Sequence, residues 1–278
     1  PEVEIKAISD VYIEAAKDVC NRHGIPYAFN DYKDILKDPE IDAVLICSPT
    51  DTHAQIAIEA AEAKKHIFCE KPVDLKIERV KEVMEAVDRN NVKIQIGFNR
   101  RFDHNFAKVK ELIDSGQLGE IHVIKITSRD PEPPNINYVK TSGGLFLDMT
   151  IHDFDMARYL TGSEVKEVYA IADCKIDPSI GKEGDVDTAV ITLKFENGVI
   201  GVIDNSRKAA YGYDQRVEVF GSKGMVRTEN DTPSTAVLSI AEGIISEKPK
   251  YFFLERYMDS FAEEMKAFIH AIINDKKP

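Results

Sequence analysis

Apolar residues recur along the first third of the chain in two alternating rhythms. Val3-Glu4-Ile5-Lys6-Ala7-Ile8-Ser9 has the pattern of a strand that ends at Asp10, and a helical pattern runs from about Tyr12 to Arg22. A short strand is expected around Tyr27-Ala28-Phe29. Ala43-Val44-Leu45-Ile46-Cys47 is a continuous apolar run, the signature of a parallel strand buried on both faces. A helix follows from about His53 to Ala63, then a strand at His66-Ile67-Phe68-Cys69. After Pro72, Ile77, Val80, Val83, Met84 and Val87 share one helical face, and Val92 to Gly97 closes the series. Strand and helix alternating in this way predict a parallel, doubly wound α/β sheet.

The rhythm changes near residue 120. Ile121 to Ser128 is a long strand, and helical spacing persists from Ile151 to Leu160. Strand patterns follow at Val165–Ala172, Thr188–Phe195, Val199–Asn205, Gln215–Phe220 and Met225–Thr228. Asn197-Gly198 is a two-residue hairpin signal between two of them. These segments predict a mostly antiparallel sheet with helices on one face, an α+β domain over 120–278 behind a dinucleotide-type domain over 1–119. On the exposed sheet face, alternating apolar positions such as Val217 and Val219 are expected. Leu254, Tyr257, Met258, Phe261, Met265, Phe268, Ile269 and Ile272 form one stripe on the last helix, read as core packing.

Composition narrows the function classes. Of 278 residues, 43% are hydrophobic, enough for two domains. The formal net charge of -12 repels nucleic acid and anionic membrane surfaces. No apolar run reaches the length of a membrane span. Cys20, Cys47, Cys69 and Cys174 are scattered without a Cys-x-x-Cys pair, which fits a reducing cytoplasm.

A doubly wound dinucleotide domain places a Gly-rich phosphate loop after its first strand. The chain has no Gly-x-Gly-x-x-Gly and opens on what reads as the second strand. Asp10, at the end of that strand, stands where an acidic side chain accepts hydrogen bonds from an adenosine ribose and repels a 2′-phosphate, which favours NAD. In the usual strand order the first strand lies in the middle of the sheet. Its absence leaves the strands around Ile5 and Leu45 without partners on facing edges. The sequence is therefore expected to be an N-terminal truncation of a longer protein lacking the first strand and loop, with a C-terminal tail also beyond Pro278.

Three segments carry candidate chemistry. Ser48-Pro49-Thr50-Asp51-Thr52-His53 follows an apolar strand, where ligands of open parallel sheets bind. Ser48, Pro49, Thr50 and His53 are the cofactor-contact candidates there, and the same residues also suit an ordinary turn with a helix cap. Cys69-Glu70-Lys71-Pro72 ends the next strand. Pro72 biases Lys71 toward an extended backbone. From there Lys71 could stabilise an alkoxide forming on a substrate beside a nicotinamide, and Glu70 and Lys71 are counted with the cofactor contacts. In Gly143-Gly144-Leu145-Phe146-Leu147-Asp148-Met149-Thr150-Ile151-His152-Asp153-Phe154-Asp155, helical spacing would project Asp148, His152 and Asp155 from one face. A carboxylate beside an imidazole steadies its charged form, as a general base for a hydroxyl requires. A helix cap, a surface pair or a metal site are the alternatives at this point.

Together, Glu70-Lys71-Pro72 and the downstream Gly143-Gly144 with Asp148 and His152 resemble the glucose–fructose oxidoreductase and inositol dehydrogenase family, often written Gfo/Idh/MocA. The likeness covers nearly the whole chain. Gly97-Phe98-Asn99-Arg100-Arg101-Phe102-Asp103, His152-Asp153-Phe154-Asp155-Met156-Ala157-Arg158-Tyr159 and Tyr211-Gly212-Tyr213-Asp214-Gln215-Arg216 resemble its inositol-oxidising branch. The resemblance implies NAD-dependent oxidation of a cyclic polyol such as myo-inositol to its 2-ketone, scyllo-inosose. It implies Lys71, Asp148 and His152 as the catalytic set and Asp155 and Tyr211 as substrate contacts. It implies a homodimer or homotetramer formed through the C-terminal sheet. A sugar dehydrogenase or a catalytically silent relative would be the alternatives.

Overall fold

The computed structural model describes residues 3–278. The chain divides into two compact units, one of residues up to Gly97 together with Glu264–Pro278, the other Phe98–Glu263. This division lies at Gly97, earlier than the expected boundary at 119, and the last fifteen residues return to the first unit. The chain returns because part of the last helix, counted below as α10, supplies that unit with apolar side chains. Phe268, buried, meets the Phe68 ring edge-on at 5.9 Å.

In the first unit, β1 (Ala7–Ser9), α1 (Ile13–His23), β2 (Tyr27–Phe29), α2 (Tyr32–Lys37), β3 (Ala43–Ile46), α3 (Thr50–Glu62), β4 (His66–Cys69), α4 (Ile77–Asn90) and β5 (Ile94–Ile96) follow in order. The strand expected from Val3 is ordered as a ladder only from Ala7. Among the described residues the parallel strands form two sheets, β1-β2 and β3-β4-β5. Leu45 and Ile5 are exposed. The core joins Ile46 and Ile67 to a stripe of alanines, Ala54, Ala57, Ala60 and Ala61, and to Val83, Ala86 and Val87. The small α3 face lets that helix approach the strands closely, and each large aliphatic side chain buried there contributes roughly 1.5–3 kcal/mol.

The second unit adds α5 (His104–Asp114), β6 (Ile121–Arg129), α6 (Ile136–Ser142), α7 (Ile151–Thr161), β7 (Val165–Asp173), α8 (Pro178–Lys182), β8 (Thr188–Phe195), β9 (Ile200–Ser206), β10 (Asp214–Gly221), β11 (Gly224–Arg227), β12 (Val237–Ile240), β13 (Gly243–Ser246), α9 (Phe253–Arg256) and α10 (Met258–Ile273). Six strands form one sheet in the order β11-β10-β6-β9-β8-β7, antiparallel except for the β6–β9 pair. Strict alternation along β8 sends Ala189, Ile191, Leu193 and Phe195 to the core. Val217 and Val219 also face that core, at 2% and 0% exposure, contrary to their expected place on the open face. The pleat turns Arg216, Glu218 and Phe220 outward instead. The open face carries Ile171 and Val190, paired across β7 and β8, and Phe220 and Met225, paired across β10 and β11. The expected last-helix stripe breaks in two: Tyr257 and Phe268 are buried, whereas Leu254 and Met258 are exposed. The chain interrupts its helix at Tyr257, which shifts the register of the stripe.

Glu264 is 1% exposed in the first unit, and its Oε1 has no hydrogen-bond partner among the described residues. Burial, with the Glu70 carboxylate as neighbour, pushes its pKa up to about 8. The fold thus favours the neutral acid. The stability tied to Glu264 is whole below its ordinary pKa near 4.5 and is lost as pH rises through about 8. Urea melts of Glu264→Gln are expected to lack this slope and to gain roughly 3 kcal/mol over the parent at pH 9.

Candidate active site

The first unit supplies one half of the candidate residues. Asp10 follows β1; its Oδ1 accepts from Tyr12 N at 2.7 Å, and the side chain is exposed. Ser48 and Thr50 flank Pro49, which starts α3 without a side-chain cap. Ser48 Oγ lies 2.6 Å from Thr52 Oγ1, which donates to Pro49 O at 2.7 Å. His53 is buried, with Nδ1 2.8 Å from Pro72 O and Nε2 2.7 Å from Ser48 O. It therefore staples the turn after β3 to the turn after β4, and presents no free ring nitrogen to a cofactor. The Lys71–Pro72 peptide bond is cis. Glu70 packs over Gly97, where a Cβ would stand 2.8 Å from Glu70 Oε2 and would push that side chain aside. Burial raises the Glu70 pKa against the pull of Lys71.

These residues suit a dinucleotide in kind. An exposed carboxylate at a strand end accepts ribose hydroxyls, and the uncapped first turn of α3 offers backbone N–H groups.

The second unit supplies the other half. Gly143 and Gly144 take φ of 85° and 77°, in the left-handed region where glycine carries no Cβ penalty. That double turn delivers Leu145 N to the Asp185 carboxylate, at 3.0 and 3.2 Å. A widened π-type turn, Phe146–Thr150, then leads into α7. Such turns re-aim side chains within a helix. Asp148, in this turn, accepts from Tyr138 Oη at 2.8 Å and pairs with Arg207 Nη2 at 2.9 Å. The His152 ring stands edge-on to Phe98, centroids 6.2 Å apart. Asp155 is clasped by Arg101, from Nε at 2.8 Å and Nη2 at 2.5 Å. Asp148 and Asp155 thus pair with different arginines, and each Asp155 oxygen accepts from Arg101. Tyr211 donates to Asp214 Oδ2 at 2.6 Å and accepts from Arg129 at 2.9 Å. With Arg129, Lys208 and Thr188 it lines an open cavity of about 350 Å³. Among the described residues no group of three His, Cys, Asp or Glu side chains is placed to hold a metal ion.

Sequence reasoning missed the ion pairs behind this arrangement. Arg100 Nη1 donates to Asp153 Oδ1 at 2.5 Å, and Asn205 Nδ2 donates to Asp153 Oδ2 at 2.8 Å. Thr150 Oγ1 donates to Asn205 Oδ1 at 2.6 Å. Arg100 and Asp153 lay inside segments quoted for resemblance alone; Arg207 and Tyr138 had no sequence signal, because only folding brings them to Asp148.

Residues 1–98 match the family described as "Oxidoreductase family, NAD-binding Rossmann fold", and residues 106–227 match "GFO/IDH/MocA C-terminal domain". The chain belongs to the Gfo/Idh/MocA oxidoreductase family. An uncharacterized oxidoreductase of Bacillus subtilis, YrbE, is 57% identical over 98% of the chain and 80% of its own length. Myo-inositol 2-dehydrogenase of Thermotoga maritima is 50% identical over 98% of the chain and 81% of its own length. Scyllo-inositol dehydrogenase of Lactobacillus casei, solved with bound NAD(H) and scyllo-inositol, superposes with a TM-score of 0.90 at 34% identity, covering 99% of this chain and 82% of that one. The expected family, Rossmann-type sheet and mostly antiparallel second sheet all stand.

Gly144→Ala would force a Cβ to 2.5 Å from Asp185 Oδ1 at a positive φ. It is expected to cost roughly 1–3 kcal/mol, read as a lower midpoint in thermal or urea unfolding.

Proposed function

We propose that this Gfo/Idh/MocA member oxidises a ring hydroxyl of a cyclic polyol, myo-inositol foremost, to the ketone scyllo-inosose. NAD, when bound, supplies the hydride acceptor. The observation that carries the reading is Asp148, set in the π-type turn after the double glycine and held by Tyr138 and Arg207, four residues ahead of His152 on α7.

Each residue then has a chemical task. His152 takes the hydroxyl proton, and the Asp148 carboxylate stabilises the imidazolium that results. The Lys71 ammonium stabilises the charge growing on the substrate oxygen. Asp10 accepts hydrogen bonds from the ribose, and Ser48, Pro49, Thr50 and Glu70 border the cofactor, with His53 holding their turn in place. Tyr211 lends polar atoms toward the polyol, and Asp155 acts by orienting Arg101. The apolar open sheet face around Ile171, Val190, Phe220 and Met225 supports assembly as a homodimer or homotetramer. Four free cysteines suit a reducing cytoplasm, and no described helix is long and apolar enough to cross a membrane.

His152→Ala is expected to lower turnover by about 10²–10⁴, the usual worth of a general base, while calorimetry still registers NAD. Near-parental turnover would remove His152 from the mechanism. Absorbance of reduced cofactor across myo-inositol, scyllo-inositol and pyranose sugars ranks the substrates; a pyranose preferred over both inositols would overturn the polyol assignment.

A further inference from the structure

The turn Ala241-Glu242 joins β12 to β13, and among the described residues these strands pair only with each other. Every residue from 233 to 248 is exposed. Cross-strand partners are Val237 with Ser246, Leu238 with Ile245, Ser239 with Ile244 and Ile240 with Gly243. Side chains alternate along a strand, so Leu238, Ile240 and Ile245 share one face, and Val237, Ser239, Ile244 and Ser246 share the other. Ile244 is 78% exposed and Ile245 57%. Two strands alone are at best marginally stable in water. Edge strands are usually protected by charged residues or proline, and Val237-Leu238-Ser239-Ile240 and Gly243-Ile244-Ile245-Ser246 contain neither.

We propose that β13 pairs edge to edge with β13 of a second copy of this chain, making a four-stranded antiparallel sheet about a twofold axis. This contact is separate from the catalytic reading, and it adds to assembly through the open sheet face a second surface of different kind.

Hairpin geometry decides which groups are available. A two-residue turn closes on a hydrogen-bonded pair, here Ile240 with Gly243, and the next such pair is Leu238 with Ile245. The N–H and C=O of Ile245 therefore point to β12, and those of Ile244 and Ser246 point outward. A twofold contact sets residue i against j and j against i. Two registers then bring outward groups together. One centres on Ile244 and sets Ala241 opposite Glu247 of the second copy. The other centres on Ile245, sets Ile244 opposite Ser246 and brings Glu242 toward Lys248 of the second copy. The second register joins opposite charges at both ends of the contact, as favourable cross-strand pairs do. It also aligns Leu238 and Ile245 with the same two residues of the second copy, one aliphatic row across four strands.

Ile245→Cys tests this register in the whole chain. Its two thiols would face each other across the axis at a non-hydrogen-bonded position, with Cα atoms about 4.5 Å apart, within disulfide reach. Diamide oxidation is expected to give a dimer on non-reducing gels whose peptide map shows a 245–245 link, with no 244–244 link in Ile244→Cys. The map separates this link from those of the native cysteines, of which Cys47 is exposed. A hairpin covered by another surface of this chain or by a different protein gives no 245–245 link, as does an assembly held by the open sheet face alone; each overturns the proposal. A 244–244 link in equal or greater yield also overturns it. Glu242→Lys in the Ile245→Cys background is expected to slow linking about tenfold, and adding Lys248→Glu to restore it. An unchanged rate in the first, or no recovery in the second, overturns the register.

Discussion

A carboxylate with no exposure to water sits one residue after His152. Asp153 is worth keeping charged in that position only if its partners replace its lost hydration, since an uncompensated buried charge costs several kcal/mol. Arg100 and Asn205 do so, one oxygen each. Their own needs then recruit Ser128, which accepts from Arg100 Nη2 at 3.1 Å and donates to Gln215 at 2.9 Å. A short helical turn, α7, β6, β9 and β10 are joined by this one requirement. The rotation of α7 about its axis follows from it, and with that rotation the direction of His152.

The same constraint recurs in weaker form around the site. Asp155 is held by Arg101, and the Arg101 guanidinium lies 5.0 Å from the centroid of the Tyr159 ring. Asp103 caps α5 through Asn105 N and Phe106 N and also accepts from the buried Arg256. Each pairing satisfies an acid that the helix places indoors. The consequence is a scaffold in which Asp155 and His53 are each held by hydrogen bonds to neighbouring elements.

Much of this protein could be read in its chain. Alternation of period two along Thr188–Phe195, the alanine-rich stripe of α3 and the Asn197-Gly198 turn reflect local rules, and the elements formed where those rules pointed. The spacing of Glu70-Lys71-Pro72 and of Asp148 and His152 was legible because chemistry at strand ends and helix faces leaves short, local patterns. The short extent of β1, Ala7–Ser9, and the face of Val217 were not. Strand limits and pleat direction depend on which neighbour the strand pairs with, and that neighbour is distant in sequence.

The chain alone settled the family pattern and the order of the two sheets. Folding settled what each reactive group touches. Asp148 is 59 residues from Arg207 in sequence, yet their charges meet at 2.9 Å. A hydrophobic rhythm specifies which side of an element is buried, but the pairing of charges across elements depends on the strand order and helix rotation that only the packed core defines.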